Sequence, residues 1–338
     1  MASKLITQTV RQTAEDHKPG RPQDALLCDM ELPFRGSFYP LGFAVEIITN
    51  DPDVLVAANE SFGHRRLRRG STTLQVRIGI SEGGGSECPP EPTRREYNHL
   101  YSLSADRDNH ALLDLKTCTS FVWLNRSALR DRFYFRCNFL EKVVYLLLGA
   151  SVVTDLHAAC VSINGKGILL CGDSGAGKST LAYACARAGW TYTSDDTSYL
   201  INDCDIPRVI GHSHRVRFRP TARALFPELE SHEVTPRMEG KPSIEVPVSE
   251  LPRLVTASEA WVHAIVYLHR DPSAMGRMVQ LPAGTATERA RNELYSAGDI
   301  RAKHEKILEV LSRVPTYELE YCELDQAIDQ LGLLVRNI

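Results

Sequence analysis

Nowhere in these 338 residues are two cysteines spaced C-x-x-C, although the chain holds nine of them. They are scattered and odd in number, which speaks against a structural zinc site and against a disulfide framework. Cys160, Cys171 and Cys185 lie in apolar surroundings and read as small core residues of a protein kept in a reducing compartment. Long apolar runs are missing too. The most apolar stretch, Val143 to Val153, is broken by Gly149 and Ser151 and falls short of the about 20 residues a bilayer span needs, so it reads as a buried helix. The opening MASKLITQTVRQTAEDHKPG lacks the apolar segment of a secretion signal. Positive charge is not in excess either, and the net charge of −3 disfavours a nucleic-acid binder that works by bulk charge. What is present, 43% apolar and 24% charged residues, is the balance of an ordinary globular chain. The expectation is a cytoplasmic protein with neither a membrane nor a nucleic acid as partner.

A single core seldom grows past about 250 residues, so this length favours two domains. Residues 1–30 are polar, hold the breaker cluster Lys18-Pro19-Gly20-Arg21-Pro22, and read as a flexible N-terminal arm. A small α+β module is expected over 31–125. It has strands over 39–49, 72–80, 100–104, 111–117 and 120–124, a helix over 53–62 opened by Asn50-Asp51-Pro52, and a loop over 83–92. An α/β domain is expected over 126–338. It begins with a helix over 138–149 and continues with strands near 209–218 and 262–268. Helices over 285–296 and 301–313, a strand over 316–321 and a helix over 324–334 complete it.

Within that second domain, Gly172-Asp173-Ser174-Gly175-Ala176-Gly177-Lys178-Ser179 fits the phosphate-loop pattern G-x-x-x-x-G-K-[ST]. An apolar strand over 167–171 leads into it, and a helix from Thr180 to Ala188 leads out. Glycines let backbone N–H groups curl around phosphates, and the helix N-terminus faces the anion. Lys178 can reach the β- and γ-phosphates, and the Ser179 hydroxyl can take Mg²⁺. Residues 172–180 are thus candidates for binding ATP.

Upstream, 156–163 reads as a strand and Asn164-Gly165 as a two-residue hairpin turn. A turn on those two residues sets His157 across from Gly172, and a longer turn over 164–167 sets it across from Ser174. Either register lays the imidazole beside the loop mouth. Downstream, 190–194 reads as a short strand ending in Asp195-Asp196. A strand–loop–helix–strand unit makes its two strands parallel and brings both carboxylates to the carboxyl end of the sheet, where ligands bind. One aspartate can serve Mg²⁺ and the other can accept a proton.

His157, the loop GDSGAGKS and Asp195-Asp196 together resemble the catalytic domain of the HPr kinase/phosphorylase family, bacterial serine kinases with an H-G strand, a G-D-S-G-x-G-K-S loop and an A-D-D strand end. The intervals of 21 residues from His157 to Lys178 and 18 from Lys178 to Asp196 match that pattern. The resemblance is strong over this segment and weaker over the rest of 126–338. It implies a P-loop kinase domain of the HPr kinase C-terminal type, related to the phosphoenolpyruvate carboxykinase core. It also implies Asp196 as general base, His157 as the group that orients or tunes it, Lys178 as a catalytic cation, and Ser179 with Asp195 as magnesium ligands.

The implied activity is ATP- and Mg²⁺-dependent phosphorylation of a hydroxyl, with a nucleotide and a protein or peptide carrying an acceptor serine as partners. Tailoring kinases for ribosomally made peptides look similar, and homo-oligomerisation is left open. Several positions depart from the family pattern. Ala158 follows the histidine, Ser194 precedes the aspartates, Thr180 stands where Glu is usual, and the glycine-rich signature segment has no counterpart. Phosphorylase activity and HPr as substrate are therefore not expected to carry over. Two other readings stand beside this one. A nucleotide-dependent binding switch would need the loop but no proton acceptor, and a phosphoenolpyruvate-carboxykinase-like enzyme would need a Mn²⁺ site of His, Lys and Asp.

Three basic clusters remain. Arg215, Arg217 and Arg219 alternate on one strand face and read as a solvated edge, with a phosphate clamp as the alternative. Arg237 and Lys241 flank Gly240 in a loop that could touch phosphate, and the run from His64 to Arg69 reads as a solvated turn.

Overall fold

The computed structural model describes residues 30–338 except 64, 65, 67, 68, 83–86, 203, 205, 236–241 and 294–297. Outside the described residues lie the arm over 1–29, His64, Arg65, Leu67 and Arg68 of the basic run, Arg237 and Lys241. The architecture is mixed α/β with several sheets.

The first sheet holds β1 (Phe34–Phe38), β2 (Phe43–Thr49), β3 (Arg69–Ser81), β4 (Thr93–Tyr97), β5 (Leu100–Ser104), β6 (His110–Asp114) and β7 (Thr119–Asn125). Their order is β1-β2-β3-β7-β6-β5-β4, with β2, β3 and β7 parallel. The helix Pro52–Phe62 makes the crossover from β2 to β3, and Asp51 caps it by accepting from Asp53 N at 2.9 Å. Two strands carry no pattern that betrays them. All five residues of β4, TRREY, are exposed, so no apolar alternation marks it, and the edge strand β1 is nearly as open. The expected strand over 39–49 begins instead with a tight turn at Pro40–Gly42, where Leu41 takes φ +53°.

One π-helical turn, Arg136–Leu140, feeds the helix Glu141–Ser151, whose Val143, Val144, Leu147 and Leu148 are fully buried in the core of the first sheet. This is the apolar stretch that lacked the length to span a bilayer. Among the described residues no helix is long and apolar enough to cross a membrane.

The second sheet begins with β8 (Val153–Leu156), β9 (Ala159–Ile163), β10 (Lys166–Cys171), β11 (Thr191–Ser194), β12 (Ser198–Ile201) and β13 (Arg208–Gly211). A separate two-stranded ribbon of β14 (Arg215–Phe218) and β15 (Ile244–Pro247) follows. The large sheet resumes with β16 (Val255–Thr256), β17 (Glu259–Arg270), β18 (Arg277–Gln280) and β19 (Thr316–Tyr321). Its path is β16-β11-β9-β10-β17-β13-β12-β8, and β19 lies on β17 with β18 beyond it.

The β9–β10 hairpin turns on Asn164 and Gly165, which have φ of +53° and +78°. Two successive left-handed residues match the right-handed twist of the flanking strands, which is why this dipeptide nucleates the turn. Residues Ile168 and Leu170 of β10 enter one core with the helices Lys178–Arg187 and Leu324–Asn337. Leu169 and Cys171 enter the opposite core with Ile307, Leu308 and Leu311 of the helix Gly298–Leu311. A strand covered on both faces needs an unbroken apolar run, and ILLC supplies it.

The expected strand over 209–218 is two strands in different sheets. β13 stays between β12 and β17, then the chain leaves the sheet at Gly211, where a Cβ would collide with the Thr193 carbonyl. The intervening His212 ring packs edge-on against Tyr145 and Tyr199, with centroids at 5.6 and 5.5 Å. Arg69 is not part of a solvated turn. It opens β3 and donates to Glu259 Oε1 of β17 at 2.9 Å, tying the two sheets together.

On β8, Asp155 sits opposite Tyr199, and its Oδ1 is buried without a hydrogen-bond partner among the described residues. Burial pushes this carboxyl from its ordinary 3.8 up to about 6. Between those two values the folded chain keeps a proton that the unfolded chain releases, so stability falls as the pH rises through the window. Ionisation at neutral pH therefore opposes folding by about 3 kcal/mol. Asp155→Asn should stabilise the fold by about 1–2 kcal/mol at pH 7, part of the gain being offset by the buried amide. The advantage should vanish near pH 4. Thermal melts at the two pH values check this, and a less stable variant at pH 7 would refute it.

Candidate functional site

Between β10 and the helix Lys178–Arg187 the chain makes a tight turn in which Gly172, Gly175 and Gly177 take φ of +134°, +98° and +98°. Space as well as backbone angle excludes a side chain at Gly177, where a Cβ would lie 2.5 Å from the Tyr321 hydroxyl. That hydroxyl, at the end of β19, donates to the Ala176 carbonyl at 2.9 Å and buttresses the turn from beneath. Lys178 is buried, and its ammonium donates to the carbonyls of Gly172 at 2.5 Å and Asp173 at 3.2 Å. The loop is thereby folded around the cation that its sequence pattern assigns to phosphate.

The strand order brings the aspartates to the same place by a route the sequence does not spell out. β9 lies between β10 and β11 and is antiparallel to both, so β11 runs parallel to β10 without touching it. Ser179 Oγ donates to the Asp195 main-chain carbonyl at 3.1 Å, joining the helix start to the end of β11. The Asp195 side chain is buried, and its Oδ2 accepts from the Arg217 main-chain N–H at 2.6 Å. Burial raises this carboxyl to about 6, and the Arg217 N–H works in the opposite direction.

Asp196 is much more open, and its Oδ1 lies 3.6 Å from His157 Nδ1. Burial and then the Lys178 ammonium push the imidazole below its ordinary value, outweighing the pull of Asp196, which favours the neutral ring.

His157 does not lie within a strand as expected. It occupies a bend at a fork, where β8 leaves to pair with β12 while β9 pairs with β10 and β11. The hairpin register is that of the two-residue turn, from Ile163 opposite Lys166 to Ala159 opposite Leu170, and the ladder ends there. His157 still reaches the loop, because the bend turns it toward Asp196.

These groups open onto one cleft of about 620 Å³. His157, Ser174, Gly175, Gly177, Lys178, Ser179, Thr180 and Asp196 line it, whereas Gly172, Asp173, Ala176 and Asp195 are not part of the lining. Arg217, Phe218, Arg219 and Leu225 line it as well, together with Arg270 and Tyr321 at the ends of β17 and β19.

The arginines of β14 are not a solvated edge. Arg215 and Arg217 both pair with Glu245 of β15, and Arg217 and Arg219 border the cleft. Arg270 went unassigned in the sequence, although its place at the carboxyl end of a strand beside the loop strand is the position the general rule for α/β sheets marks for ligand contacts.

Among the described residues no three His, Cys, Asp or Glu side chains cluster as a preformed metal site. The oxygen donors present are the Ser179 hydroxyl and the Asp195 and Asp196 carboxylates. That set fits Mg²⁺, which favours one or two carboxylates together with phosphate oxygens and retained waters over an all-protein cage.

No protein-family model matches the chain, and no curated protein sequence does. Among solved structures it is similar to the HPr(Ser) kinase/phosphatase from Coxiella burnetii. The identity is 14%, the match covers 54% of this chain and 94% of that one, and the TM-score is 0.29.

Proposed function

We propose that this chain is an ATP- and Mg²⁺-dependent kinase that phosphorylates a hydroxyl, a serine of a protein or peptide, through a P-loop domain over 126–338. The observation that supports it most is the shared cleft of Asp196, His157, Lys178 and Ser179. A nucleotide-dependent switch needs the loop and its lysine but has no use for an open carboxylate beside a neutral histidine. Phosphoryl transfer to a hydroxyl uses such a carboxylate, because little covalent chemistry is left to the protein beyond alignment, charge neutralisation and a base.

In this reading the turn from Gly172 to Gly177 and the helix start hold the phosphates by backbone N–H groups, and Lys178 swings from the loop carbonyls onto the γ-phosphoryl oxygens. Ser179 and Asp195 would hold Mg²⁺, which when bound neutralises phosphate charge. Asp196 accepts the proton of the acceptor hydroxyl, and His157, as a neutral ring against its Oδ1, fixes the direction of that carboxylate. The acceptor oxygen forms a bond to the γ-phosphorus as the bond to the bridging oxygen breaks, and that electron pair leaves with ADP.

Incubation of the purified chain with γ-labelled ATP, Mg²⁺ and a lysate of its host tests the proposal. A labelled protein or peptide that disappears with Lys178→Ala is the expected result. Nucleotide binding with neither transfer nor phosphate release would replace the kinase reading with the switch.

A further inference from the structure

Arg217 and Phe218 bring the β14–β15 ribbon to the cleft, and Arg217 is the charged one of the two. Its main-chain N–H is committed to Asp195 Oδ2, and its Nε donates to Glu245 Oε2 at 3.2 Å. Arg215, two residues earlier on the same face, pairs with the other oxygen of Glu245. Two guanidinium groups thus share one carboxylate, and the ribbon keeps net positive charge at this point. Both tasks that anchor the ribbon fall to the main chain and to Nε. The two Nη atoms of Arg217 make no hydrogen bond among the described residues, the side chain is 32% exposed, and the residue lines the cleft with Lys178 and Asp196. A planar fork held by its Nε edge, on a residue that lines the cleft together with Lys178, is pre-organised for oxygens of a phosphoryl group.

We propose that Arg217 is a catalytic residue that grips the phosphoryl group while it passes from nucleotide to acceptor. The inference rests on the phosphotransferase reading above. As the bond between the γ-phosphorus and the β–γ bridging oxygen breaks, its electron pair goes to the departing diphosphate. The acceptor oxygen bonds to phosphorus and its proton goes to Asp196. Charge meanwhile spreads over the three equatorial oxygens, and the Nη N–H groups donate to them, as an arginine supplied in cis does in other phosphoryl-transfer enzymes. Glu245 is the positioning residue that holds the fork in the productive plane.

The test compares the full chain with Arg217→Ala and Arg217→Lys. Calorimetry measures binding of Mg²⁺–ADP alone and with aluminium fluoride, which stands for the phosphoryl group in transit, and phosphate release measures turnover. Both variants should bind Mg²⁺–ADP within about threefold of the parent, since loop and lysine are untouched, while the affinity gained from aluminium fluoride falls at least about tenfold. Turnover should fall about 10³-fold in Arg217→Ala with the nucleotide KM unchanged, and lysine should restore little of it because it lacks the fork. Added guanidine should revive the alanine variant alone. Arg217→Lys keeps charge on the ribbon and covers the case in which the alanine variant does not fold. Equal aluminium fluoride gain and equal turnover in parent and variants would overturn the inference while leaving the kinase reading standing. A parent that binds no nucleotide, or gains nothing from aluminium fluoride, would overturn both.

Discussion

Lys178→Ala should give a folded chain that has lost phosphoryl transfer, with turnover lower by about 10³-fold or more. A preorganised donor aimed at developing charge in a closed site is worth about 3–4 kcal/mol, and this ammonium has a second task. It joins the carbonyls of Gly172 and Asp173 across the loop, so its removal also loosens the backbone N–H cradle. Nucleotide affinity should therefore fall together with turnover. Circular dichroism and a thermal melt would show that the fold survives, and phosphate release would report the loss. Parental turnover in this variant would remove the nucleotide assignment altogether.

Asp196→Asn should behave differently. Loop, lysine and Ser179 remain, so nucleotide affinity should stay near that of the parent while turnover drops by about 10²–10⁴-fold, the usual worth of a positioned general base. His157→Ala should cost less, because His157 touches the base through its carboxylate and not the proton in flight. The two aspartates sit at different depths, which sharpens the test. Asp196 borders the cleft, and Asp195 lies behind it with Oδ2 held by Arg217. If Asp196→Asn chiefly weakens binding of Mg²⁺–nucleotide, the two carboxylates exchange roles. If turnover is unmoved, proton acceptance lies elsewhere and the kinase mechanism falls.

Features set by local chemistry are legible in the sequence. Asn164-Gly165 marks its own turn, which narrows the register of β9 on β10 to two choices, and the two-residue turn is the one found. The glycine-rich loop is legible because its demands on φ fall on glycines at fixed offsets. Asp51-Pro52 announces a helix for equally local reasons, a side-chain acceptor followed by a residue with no N–H to satisfy.

Features that stay hidden depend on distant partners. Nothing near Arg217 reveals that Glu245 waits 28 residues away, so alternating arginines look like a wetted edge. The bend at His157 arises because β8 and β9 find different neighbours, and the apolar letters on either side are the same whether the strand is one or two. Val209 to Phe218 fails as a single strand for the same reason, with Gly211 pressed on Thr193 and β14 captured by β15.

The bond from Tyr321 to Ala176 has a bearing on the order in which the molecule can be assembled. It spans 145 residues and ends on the last strand of the sheet. The β9–β10 hairpin closes over two residues and can form as soon as it is made, whereas β17 and β19 must each return across long stretches of chain to flank the loop strand. During synthesis from the N-terminus, the hairpin can therefore form well before its glycine-rich turn gains the support of Tyr321. Gly177 acquires its close neighbour, the Tyr321 hydroxyl, only once β19 has docked along β17.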